Sequence, residues 1–86
     1  MASAHATQVS RDRIRPSRRA AVTVRVYSRA GRLMREVVSG ETLPPGANLV
    51  RWDGHDRDGG VVDDGLYVVT VEALGQTRRS PLAVVR

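Results

Sequence analysis

Cysteine is absent from the chain. No disulfide framework and no thiolate metal site can form, so stability in any compartment comes without covalent staples. Lysine is absent as well, and all 14 basic side chains are arginine. No apolar run approaches the roughly 20 residues of a membrane-spanning helix. The stretch MASAHATQVSRDRIRPSRR has no apolar h-region and does not read as a secretory signal. If the protein is exported, the expectation is a signal outside this chain or a dedicated secretion route. No segment sustains a 3.6-residue apolar period, so no helix is expected. Walker, Gly-x-Gly-x-x-Gly and Gly-x-Ser-x-Gly patterns are missing. The only histidines, His5 and His55, have no partner at metal-ligand spacing. The reading is therefore a non-enzyme with no cofactor and no small-molecule substrate.

The 86 residues present suffice for one domain. A domain of this size buries only about 60% of its unfolded-chain surface, so its core is thin. The net charge of +5 is unevenly placed. In residues 1–20, Arg11, Arg13, Arg15, Arg18 and Arg19 stand against Asp12 alone. Residues 21–86 are close to neutral. The division expected is a basic tail or linker over 1–20, with a possible edge strand at 7–15, followed by a folded unit over 21–86.

The folded unit alternates. In AVTVRVYS, Val22, Val24 and Val26 share one face while Thr23, Arg25 and Tyr27 share the other. SRAG follows as a hairpin connection with Gly31 placed for positive φ. RLMREVV returns with broken parity, since Leu33 and Val37 fall on one face and Met34 and Val38 on the other. A bulge would reconcile them. Pro44-Pro45-Gly46 makes a stiff turn. NLVRW puts Val50 and Trp52 on one face, and LYVVTVEAL does the same for Tyr67, Val69, Val71 and Ala73. Gly75-Gln76 is expected to turn, and TRRSPLAVVR to close as a last strand, with Pro81 marking it as an edge or its start as irregular. Six or seven short strands with frequent turn signals predict an all-β antiparallel sandwich of the immunoglobulin or fibronectin-III kind. Its expected core is Val24, Val26, Val50, Trp52, Tyr67, Val69 and Val71.

DDGLYVV sets Asp63, Gly65, Tyr67 and Val69 at alternate positions. Immunoglobulin-type domains carry Asp-x-Gly-x-Tyr-x-Cys where the tyrosine makes its corner, and Val69 stands at the cysteine position. The longer pattern Val24, Val26, Tyr27, Gly31, Arg32, Leu33, Gly46, Trp52, Asp53, Gly54, Asp56, Gly59, Gly65, Tyr67, Val71 resembles the immunoglobulin-like domain of the flagellar hook-capping protein FlgD. The same module recurs in secreted and surface bacterial proteins. The resemblance runs from about Val22 to Val85; the arginine-rich N-terminal side departs from it. It implies a binding or structural module in a cell-surface, secreted or appendage protein, extracellular or in the envelope. It does not imply hook capping.

WDGHDRDGGVVDDG holds five aspartates between Trp52 and Leu66. Its spacing fits neither register of a calcium-binding EF-hand loop. Aspartates that accept backbone N–H bonds, with glycines taking positive φ, explain Asp53, Gly54, Asp56 and Gly59 as turn chemistry; a weak surface calcium site is the alternative. The segment RDRIRPSRR has three readings: a solvated linker, an edge strand, or an anion-binding arm. A sheet edge can be completed by a strand from the same polypeptide or from a neighbouring subunit. Val9, Arg11, Arg13, Arg15, Arg18 and Arg19 are thus the candidate partner contacts. Mutual repulsion among Arg11, Arg13 and Arg15 favours an acidic or polar partner strand. The rival function is a small basic adaptor for nucleic acid or an anionic surface. The missing interleaved aromatics argue against single-strand binding.

Overall fold

The computed structural model describes Ser10–Val85; Val9 and His5 lie outside the described residues. The described residues form six strands and no helix. These are β1 (Ser10–Ile14), β2 (Ala20–Ser28), β3 (Leu33–Leu43), β4 (Asn48–Trp52), β5 (Gly65–Ala73) and β6 (Gln76–Val84). One sheet runs β3-β2-β5-β6 and the other β1-β4, with every pairing antiparallel. The all-β antiparallel expectation is met. Val61, in the two-residue Val61-Val62 step between turn signals, makes an isolated bridge with His55.

The period-2 pattern of β2 buries Val22, Val24 and Val26 and leaves Thr23, Arg25 and Tyr27 half-buried on the opposite face. The broken parity of β3 is absorbed by register shifts in the β2–β3 ladder, at Val22/Val24, Val24/Arg25 and Val26/Tyr27. As a result Met34, Val37 and Val38 all pack against the core despite their mixed parity.

β5 and β6 pair one for one, from Gly65↔Val84 to Ala73↔Gln76. The turn between them is Leu74–Gly75, with φ of 53° and 73°, which is a two-residue turn of the type that suits strand twist. It lies one residue earlier than the sequence pattern suggested, and Gln76 belongs to β6. Register explains the difference. This pairing sets Leu82 opposite Tyr67 and Val84 opposite Gly65, and both are buried. A slip of one residue would turn them to solvent.

β1 pairs with β4 from Ser10↔Trp52 to Ile14↔Asn48. Charge does not select this partner. Asn48–Trp52 contains no acid, and Arg51 stands opposite Arg11. A bond from Gly46 N–H to the Pro16 carbonyl, at 3.2 Å, ties the two crossovers together.

The buried cluster is Val22, Val24, Val26, Trp52, Val62, Tyr67, Val69, Leu82 and Val84. Val50 and Val71 are only half-buried and pack against its margin.

Candidate functional site

The chain leaves β4 at Trp52 and turns at once. The Asp53 carboxylate accepts the His55 backbone N–H at 3.0 Å, and the His55 ring Nδ1 lies 3.2 Å from the Asp53 carbonyl oxygen. Asp56 organises the next turn. Its Oδ1 accepts the N–H groups of Asp58 and Gly60, both at 2.9 Å. The Asp56 N–H donates to the Gly60 carbonyl at 2.8 Å, and its own carbonyl accepts from Gly59 at 3.1 Å. Gly54 and Gly59 take φ of 78° and 86°, where a β-carbon is costly. A Cβ on Gly60 would come within 3.3 Å of the Asp56 carboxylate. The loop is pinned to β3 by the Arg57 N–H on the Met34 carbonyl, 2.7 Å, and by Arg35 on the Asp56 carbonyl, 3.3 Å.

Chemically this is a turn whose carboxylates bind the chain's own backbone. Burial pushes the Asp53 carboxyl upward, but the His55 N–H and the nearby charges of His55 and Arg35 outweigh it and hold the group below its ordinary value. Among the described residues, no group of three His, Cys, Asp or Glu side chains is placed to hold a metal ion. Gly31 and Gly46 sit in their own turns, with φ of 87° and 90°. Gly65 opens β5 at φ 150°.

Two aromatics anchor this end of the molecule. The Tyr67 hydroxyl donates to the Asp63 carbonyl at 2.6 Å, closing the tyrosine corner. The Trp52 Nε1 donates to the His55 carbonyl at 2.9 Å. The rings meet edge to face with centroids 6.0 Å apart. Both polar tips are thus paired inside a hydrophobic contact.

The candidate partner residues lie elsewhere. The backbone of Arg11 and Arg13 is in β1, while Arg15, Arg18 and Arg19 are exposed between β1 and β2. On the outer face, Arg25 bridges Glu36 at 2.8 Å and also bonds Glu72. The Glu36 carboxyl is held below its ordinary value by a hydrogen bond from Ser39 and by Arg25. This three-strand ladder escaped the sequence reading because register alone brings the residues together. Buried Val62, Leu82 and Val84 escaped it too. Leu82 and Val84 alternate, but Pro81 hides the pattern, whereas Val61-Val62 reads only as a brief extended piece between turns and does not show which of the two is buried.

The fold, the tyrosine corner and the aspartate turns define a class, an immunoglobulin-like β-sandwich. The chain belongs to the FlgD Ig-like domain family, whose model matches residues 2–77. A solved structure of PorZ, an essential bacterial surface component of the type-IX secretion system of Porphyromonas gingivalis, is similar at 28% identity and a TM-score of 0.57. The similarity covers 78% of this chain and 8% of PorZ, so the chain corresponds to a small part of that protein. No match is found among curated proteins.

Proposed function

We propose that the chain is a non-catalytic interaction or assembly module of a bacterial cell-surface, secreted or appendage protein. It works by presenting a sheet edge to a protein partner, either another domain of the same polypeptide or a neighbouring subunit. The observation that carries this reading is the family match over residues 2–77. The surface role stated for PorZ and the inward use of the Asp53 and Asp56 carboxylates support it. No helix among the described residues is long and apolar enough to cross a membrane.

The rival reading, an arginine arm for nucleic acid, draws on exposed Arg15, Arg18 and Arg19. Antibody labelling of intact source cells, combined with salt titration of any recovered complex, separates the two. Surface labelling and a protein complex with shallow salt dependence are expected. An intracellular protein that releases nucleic acid steeply with salt would overturn the proposal.

A further inference from the structure

β6 is one of the two edge strands of the four-stranded sheet among the described residues, the other being β3. A two-residue hairpin closes on a hydrogen-bonded pair, here Ala73↔Gln76, and bonded and non-bonded pairs then alternate. Thr77, Arg79 and Pro81 therefore fall at non-bonded positions, where backbone N–H and C=O groups face away from β5. Pro81 has no N–H to offer, so the usable edge is a short stretch ending there.

Two further features converge on that stretch. A groove of 480 Å³ lies between the Arg15–Ser17 segment and the hairpin end of β5 and β6. Its walls include Arg15, Arg78 and Arg79 over Val71, Ala73 and Leu74, and no carboxylate. The second feature is Leu74 itself. It is 40% exposed and holds φ 53° at the hairpin tip, where asparagine or glycine would be at ease and a branched apolar side chain is strained. An exposed leucine kept in a strained turn beside a cationic groove has no use in the core.

From these features we infer that the Gln76–Ser80 stretch of β6 is the edge used for strand addition, and that its occupant is an extended, acidic and apolar segment of a protein partner. The segment pairs with the outward N–H and C=O groups of Thr77 and Arg79. Its inward side chains place carboxylates beside Arg15 and Arg78 and apolar groups against Leu74 and Val71. This inference rests on the module reading above and specifies its edge and its ligand chemistry.

The test uses the full chain and a fluorescein-labelled peptide of about eight residues that carries Glu and Leu in turn at every second position with Thr between them, so that one strand face presents both carboxylates and apolar groups. Saturable binding is expected, with protection of the Thr77 and Arg79 amides from exchange. Arg78→Glu and Thr77→Pro should each weaken it by about tenfold or more, while Thr77→Val, which keeps the N–H, should not. Leu74→Asn should raise the melting temperature yet weaken binding, a combination that a merely structural leucine would not give. Absence of binding, or binding unchanged by both Arg78→Glu and Thr77→Pro, overturns the inference. So does equal competition by oligothymidylate, which would mean general polyanion attraction. Protection mapped to β1, β3 or β4 instead would overturn the choice of edge while leaving the module reading intact; failure of surface labelling would overturn that reading independently.

Discussion

Asp56 supplies, at the scale of a single residue, two acceptor bonds that the loop backbone cannot provide for itself. An exposed hydrogen bond of this kind contributes about 1 kcal/mol net. Asp56→Ala should therefore lower unfolding free energy by about 1–2 kcal/mol in urea titration, whereas Asp56→Asn, which keeps the acceptor oxygen, and Asp58→Asn should change it little. Asp53 adds a pH dependence. Its folded value lies below the ordinary 3.8, so the ionised form favours the native state. That stabilisation is complete above about pH 4 and is lost as pH falls through the lower folded value. Asp53→Asn should flatten the acid limb of a stability–pH curve below about pH 4 and leave the neutral region nearly parallel to wild type. The turn roles of Asp53 and Asp56 are legible in sequence because an aspartate two residues before a loop N–H has a known local use. The role of Gly60 is not, since it depends on where the Asp56 carboxylate comes to rest.

Strands depend on register, and register separates what the sequence shows from what it hides. Regular alternation makes β2 and β5 readable, with Val24 and Val26 on one face of β2 and Tyr67 and Val69 on one face of β5. Val22 shares the parity of Val24 and Val26 and is fully buried, though the core reading omitted it. The exact turn into β6 was hidden, because two-residue and shifted turns both satisfy a Gly75 signal and only burial of Leu82 and Val84 decides between them. The Trp52–Tyr67 contact joins β4 to β5. Truncating a buried aromatic costs about 3–5 kcal/mol, against roughly 5 kcal/mol for the whole of a domain this small. Trp52→Ala should leave much of the population unfolded by near-ultraviolet circular dichroism. Tyr67→Phe, which removes the hydroxyl that bonds the Asp63 carbonyl, should cost about 1–2 kcal/mol and stay folded.

For the whole molecule, the thin core and paired turn carboxylates describe a scaffold that holds edges and loops in place. Millimolar calcium should leave its melting temperature unchanged, since a ligand specific for the native state would raise it by mass action. The proposed use of that scaffold is strand addition at a sheet edge, which leaves a backbone signature that charge attraction cannot imitate. Residue-resolved amide hydrogen exchange on the full chain, free and in complex with a protein partner, reads that signature. Strand addition slows exchange at alternate amides of one edge strand, while central β2 and β5 keep their own rates. A complex that forms with no edge amide protected, and that dissolves in moderate salt, would contradict it.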